Sequence, residues 1–182
     1  MLKVVSYYTN ERYRVAGVAL TQSLRALNMG HHVEEIPDQG SWLKNCRMKP
    51  SFVYRMLFLY PTHNILYLDC DARVHQVPEI LEKEMGFDIA VHKSDKGAIW
   101  GGTLFVRNNE LGRLLSRVWS GMTDQVPLAS EDLILEKHVL NRADAKVKYL
   151  PKSYCWFGKT AHNTNEPKPI IEHFFFGHPG RK

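Results

Sequence analysis

Asp69 and Asp71 stand one residue apart in "ILYLDCDARV", Ile65 to Val74, directly after a run of apolar residues. On an extended segment, residues i and i+2 point to the same side, so the two carboxylates would converge while Cys70 faces away. Two carboxylates this close repel unless a positive charge sits between them. A hard divalent cation meets that need, taking oxygen ligands and leaving positions for phosphate oxygens. The same pair could instead supply a nucleophile for phosphate chemistry, or decorate a solvated turn. A strongly apolar strand leading into the pair favours a functional site.

The elements that must position them follow from apolar periodicity and turn residues. Strands are expected at Lys3–Tyr8, His32–Ile36, Ile65–Leu68, Asp88–Val91, Thr103–Val106, Val147–Leu150 and Ile170–Phe176. Helices are expected at Tyr13–Leu27, Pro50–Tyr60, Val77–Met85, Leu111–Trp119 and Glu131–Leu140. This alternation predicts an α/β protein with helices on both faces of its sheet. Ligands of such sheets sit at the carboxyl ends of the strands, where Asp69 and Asp71 fall.

With 182 residues, 44% of them hydrophobic, the expectation is one compact domain over 1–182. No apolar run approaches the ~20 residues of a membrane helix, and the opening residues are too short and polar for a signal peptide. Cys46, Cys70 and Cys155 are scattered and odd in number. That argues against a disulfide framework or a zinc site and for a reducing cytoplasm. The net charge of +5 suits polyanionic partners such as nucleotides, nucleic acid or anionic lipid, although the basic residues are spread out.

The segment "NILYLDCDARV" resembles the Asp-x-Asp segment of GT-A type glycosyltransferases, which use nucleotide-diphosphate sugars as donors. It is most similar to the glycogenin-like and bacterial galactosyltransferase group and to small phage and bacterial relatives. That places the expected cytoplasm in a bacterial cell or a phage-infected host. Further segments resemble the group in order and spacing: "SYYTN" its first strand and nucleotide loop, "KPSFVYRMLFLYP" a helix with an arginine at Arg55, and "WGGTLFVRNN" the turn and strand after the Asp-x-Asp. "SEDLILEKHV" is similar to its acidic helix start, and "IEHFFFG" to its closing strand with a histidine. The resemblance implies a Rossmann-like GT-A fold with a mixed, mostly parallel sheet.

By that resemblance, Asp71 binds a metal, Mn²⁺ or else Mg²⁺, and Asp69 contacts the metal, the ribose or both. His173 is the third protein ligand, with His178 as an alternative, and its nitrogen favours manganese. Tyr8 and Thr9 face the base and ribose of a nucleotide-sugar donor, for which UDP is favoured. Lys49 and Arg55 pair with phosphate or with Asp69. Gly101 and Gly102 form a turn under the donor sugar, and Arg181 or Lys182 reaches the diphosphate. Asp132, with Glu131 second, is the base or sugar-orienting group. Ser130 also caps that helix, so an acidic pair there has a structural reading as well.

The chain departs from the group in three places. Lys182 is followed by no Pro-Trp, Trp100 stands where asparagine is frequent, and Glu131-Asp132 replaces Asp-Gln. The last departure leaves retention or inversion of the sugar linkage open. At 182 residues the chain is short for such an enzyme, which implies trimmed acceptor-binding insertions. The acceptor stays open among saccharide, lipid-linked saccharide, protein and modified DNA, as does the oligomeric state. Two rival readings are a non-catalytic nucleotide-sugar-binding domain and a haloacid-dehalogenase-type phosphatase with Asp69 as nucleophile. The second is disfavoured by Arg73 two positions after Asp71 and by the two helices that precede the motif.

Overall fold

The computed structural model describes residues 1–83, 86–157 and 169–174. In chain order the elements are β1 (Leu2–Tyr8), α1 (Glu11–Ala26), β2 (His31–Glu35), α2 (Trp42–Cys46), α3 (Lys49–Leu59), β3 (Asn64–Leu68), β4 (Ala72–Val74), α4 (Glu79–Lys83), β5 (Ile89–Lys93), β6 (Ile99–Val106), α5 (Glu110–Gln125), α6 (Glu131–Leu135), β7 (Val147–Leu150), β8 (Trp156–Phe157) and β9 (Ile171–His173). The main sheet has six strands in the order β2-β1-β3-β6-β5-β7, and β4-β9-β8 form a small second sheet. Three pairings in the main sheet are parallel. β6 runs antiparallel to both of its neighbours.

Alternation along the strands sorts the core into two layers. Ile65 and Tyr67 of β3 join Phe52, Val53, Met56 and Leu57 of α3 and Leu115 and Trp119 of α5 on one face. Leu66 and Leu68 join Leu20 and Leu24 of α1 and Leu81 of α4 on the other. A strand covered on both sides has no polar face, which is why β3 reads as a continuous apolar run. α1 and α5 begin at asparagine caps, Asn10 and Asn109, whose side chains accept backbone N–H bonds from Tyr13 and Gly112.

Several elements differ from the sequence expectation. α2, β4 and β8 have no counterpart in it, because elements of two to five residues carry no readable period. The helix expected over 131–140 is α6 followed by a π-helical turn, Glu136–Leu140. The helix expected over 111–119 runs on to Gln125. Of the strand expected over 170–176, Ile171–His173 is strand, and residues 175–176 lie outside the described residues. Among the described residues, no helix is long and apolar enough to cross a membrane.

The topology fixes where chemistry can be assembled. β1 and β3 are parallel, so Thr9 and Asp69 follow strand ends on the same edge. β6 is antiparallel to β3, with Leu68 opposite Thr103, so its first residues start from that edge too. α5 holds the opposite end of β6. Its cap Asn109 accepts from Gly112 N–H at 2.7 Å and donates to Asp88 Oδ1 at 3.0 Å. Asn109→Ala is expected to cost about 1–2 kcal/mol in urea unfolding, the sum of a lost cap and a lost side-chain bond.

Candidate active site

β3 ends at Leu68, and the chain turns at once. Ala72 N–H donates to the Asp69 carbonyl at 2.9 Å, and β4 begins. Asp69 and Asp71 therefore converge through a tight turn, not through the alternation of an extended strand as the sequence suggested. The Asp69 N–H bonds the Gly102 carbonyl at 2.9 Å, fixing this turn to β6. β4 pairs with β9 so that Ala72 lies opposite His173. One carboxylate oxygen from each aspartate and one ring nitrogen of His173 lie within 4.8 Å of one another. His173 Nδ1 stands 3.4 Å from Asp71 Oδ1.

Asp69 is divided between two tasks. Its Oδ1 accepts from Tyr67 O–H at 2.9 Å and faces Lys49 Nζ at 3.3 Å. Its Oδ2 points to Gly102, where an added Cβ would stand 2.9 Å away and would also come within 3.1 Å of His173 Cε1. Gly102 thus keeps open the space between the Asp69 and His173 side chains. Gly101 does the same for Asp132, whose Oδ1 would collide with a Cβ at that position. Both glycines lie within β6, so the expected turn is a strand, and neither has positive φ. Space, not backbone freedom, is what they supply.

Lys49 opens α3 and is buried. Its ammonium contacts Asp69 Oδ1, Glu131 Oε1 at 3.1 Å and the Gly101 carbonyl at 3.3 Å. All of its donors are engaged by protein atoms, so it orients carboxylates. Burial alone would lower its pKa, but Asp69 and Glu131 outweigh that and hold it well above the ordinary value. Arg55, which the sequence placed beside Asp69 or phosphate, is instead ion-paired to Glu34 and lies over the Phe52 ring. It sits nearly two helical turns further along α3, on the other side of the helix, and half of its side chain is exposed.

Ser130 caps α6, its Oγ accepting from Leu133 N–H at 3.3 Å. Glu131 is buried against Lys49, and its carbonyl accepts from Trp119 Nε1 at 2.8 Å. Asp132 Oδ1 is buried without a hydrogen-bond partner. Burial pushes the Asp132 carboxyl up to about 7, against the opposing pull of Lys49 and with help from Glu131 and Asp69. For His173, burial works downward. The Cys155 thiol and the Asp71 carboxylate outweigh it and hold the imidazole up at about 10.

At the end of β1, Tyr8 rests its ring on α1 at Gly17. Buried Thr9 accepts from Asn45 of α2 at 3.3 Å. Trp100 meets the Phe157 ring edge-on at 4.3 Å, and Phe157 in turn lies 5.6 Å from the His173 ring. His178, Arg181 and Lys182 lie outside the described residues. Two residues at the site were not singled out in the sequence: Tyr67, and Thr103, which bonds His173. A hydroxyl tip inside an otherwise apolar strand, on the strand that leads into Asp69 or beside Gly102, is the signal that could have found them.

No protein-family model matches the chain, and no curated protein matches it significantly. Solved structures do. A glycosyltransferase involved in glycosylating the major capsid of PBCV-1 superposes with a TM-score of 0.73 at 13% identity, over 100% of this chain and 94% of that one. An active-site mutant of LgtC gives 0.59 at 11% identity, over 97% and 88%. The glycosyltransferase GlyE of Streptococcus pneumoniae TIGR4, in its apo form, gives 0.58 at 17% identity, with this chain spanning 54% of its length. The fold is therefore the GT-A-like glycosyltransferase fold, a mixed α/β architecture as the sequence resemblance implied.

Two stability predictions follow from the charges. Lys49→Met leaves Glu131 buried without its cation and is expected to cost about 3 kcal/mol or more at pH 8. Asp69 adds less, being more than a third exposed. Because the native Asp132 carboxyl holds its proton up to about 7, the unfolded chain loses that proton first. Stability falls as pH rises from the unfolded carboxylate range to about 7, then levels off. Asp132→Asn mimics the protonated form. Urea titration should find it more stable than wild type at pH 8, by on the order of 3 kcal/mol, and equal to wild type below about pH 4.

Proposed function

We propose that the protein is a metal-dependent glycosyltransferase that moves a sugar from a nucleotide-diphosphate donor, UDP-sugar favoured, to an acceptor hydroxyl. The observation that carries this reading is the Asp69–Asp71–His173 cluster at the carboxyl edge of a sheet with a glycosyltransferase fold. The donor set fits a small divalent cation. Two carboxylate oxygens and a ring nitrogen converge, and Gly102 leaves space where a Cβ would intrude. The mixed oxygen and nitrogen set favours manganese over magnesium. When bound, such a cation supplies the positive charge that a departing diphosphate requires.

The chain's own residues would do the rest. Lys49 and Tyr67 hold Asp69 Oδ1, so Oδ2 is the oxygen aimed into the cluster. Tyr8 and Thr9, on the same edge, would take the nucleoside end of the donor. Gly101 and Gly102 let the sugar approach β6. Asp132 would accept the proton of the acceptor hydroxyl or orient the sugar, and a carboxyl titrating near neutrality suits proton transfer. Glu131 is committed to Lys49, which ranks it second. The acceptor hydroxyl would belong to a saccharide, a lipid-linked saccharide, a protein or a modified DNA base. The phosphatase reading is set aside, since the solved structures that this fold superposes on are glycosyltransferases.

Calorimetry of the common nucleoside diphosphates, UDP first, with and without Mn²⁺ tests the proposal on wild type, Asp71→Ala and Asp132→Asn. Wild type should bind UDP in a Mn²⁺-dependent manner, and Asp71→Ala should lose that binding. Asp132→Asn should keep it while losing transfer and the slow Mn²⁺-dependent hydrolysis of the donor. Failure of wild type to bind any nucleoside diphosphate would remove the transferase reading. Binding without donor turnover would point to a nucleotide-sugar-binding domain.

A further inference from the structure

Thr103 is wholly buried on β6, and its hydroxyl meets two groups. Its Oγ1 is 2.8 Å from the Tyr154 carbonyl oxygen and 2.8 Å from His173 Nε2. A hydroxyl has one proton to give and can accept in return. The carbonyl can only accept. If the proton went to His173, Thr103 and Tyr154 would face each other as two acceptors at hydrogen-bond distance. The proton therefore goes to Tyr154, and Thr103 can only accept from the ring. Nε2 must then carry hydrogen, whatever the charge of the imidazole, and Nδ1 is the nitrogen left facing Asp71.

We infer that Thr103 is the positioning residue of the site: with the Tyr154 carbonyl it fixes the His173 ring so that Nε2 keeps its proton and Nδ1 is presented to the aspartate pair. The inference rests on the reading of His173 as a metal ligand. It adds a buried hydrogen-bond relay that selects which nitrogen binds and holds the ring plane. Chain geometry makes the relay stiff. Thr103 sits on the main sheet, opposite Leu68, while His173 sits on the small sheet, opposite Ala72. The hydroxyl thus bridges the two sheets on either side of the Asp69–Asp71 turn.

Two readouts test this on the full chain, using Thr103→Val, Thr103→Ser and His173→Ala. The first is Mn²⁺ affinity without donor, read from the free-ion paramagnetic resonance signal. Thr103→Val, which has the same shape and no hydroxyl, should bind 10–100-fold more weakly, about the usual loss when a ligand's supporting hydrogen bond is removed. Thr103→Ser should stay close to wild type. The second is nitrogen-detected NMR of the metal-free protein. An exchange-protected Nε2–H of His173 should be present in wild type and Thr103→Ser and absent in Thr103→Val. If His173→Ala weakens Mn²⁺ binding and Thr103→Val does not, the relay is refuted and the metal site stands. If wild type binds no Mn²⁺, or His173→Ala binds as tightly, the ligand reading fails and this inference falls with it. Should Thr103→Val not fold, wild type decides alone: a His173 ring protonated only at Nδ1 overturns the relay.

Discussion

A single buried ammonium holds the site together. Lys49 lies where three elements meet: α3, which carries it, the turn after β3, which carries Asp69, and the start of α6, which carries Glu131. Packing the buried Glu131 carboxylate beside Asp69 and Asp132 is unfavourable without a cation. Lys49 offsets that cost and ties the acidic helix start to the aspartate turn. The Tyr67 hydroxyl completes the hold on Asp69, and the two glycines of β6 clear room for the acids that crowd against it.

The charge pattern also separates support from chemistry. Groups whose polar atoms are consumed by protein partners, such as Lys49, Glu131 and Thr103, maintain geometry. Groups with an atom left over face the open space: Asp69 through Oδ2 and Asp71, with His173 beside them through Nδ1. Asp132 belongs to neither set. Its Oδ1 is buried beside like charges, and the carboxyl holds its proton through the acid range. A group whose environment disfavours its own ionisation is a common sign of function, since structure alone gains nothing from it.

Much of the fold was legible because β3, α1 and α5 are long or apolar enough to show their period. The Asp-x-Asp pair was legible because it follows a strand buried on both faces. The histidine came only from the family resemblance, because nothing local marks His173 as facing residues a hundred positions earlier. The choice between Lys49 and Arg55 was not legible: both are cations on one helix, and only the packing shows which lies at the edge of the sheet. Tyr67 and Thr103 read as ordinary strand residues, because pattern sees their burial and not where a hydroxyl points. The glycine pair suggested a turn, since in sequence a need for space and a need for positive φ look alike.

The pairing of β4 with β9 joins residues far apart along the chain, with Asp71 and His173 separated by 102 positions. Contacts this distant are the last that a growing polypeptide can make. The edge of the main sheet and the aspartate turn can take shape while the chain is still being made, but the Asp69–Asp71–His173 cluster closes only when residue 173 emerges. A chain interrupted just before that point would carry all six strands of the main sheet and an incomplete Asp–Asp–His cluster. The pocket around the aspartate turn would thus be closed late and in a single docking event, the pairing of β9 with β4.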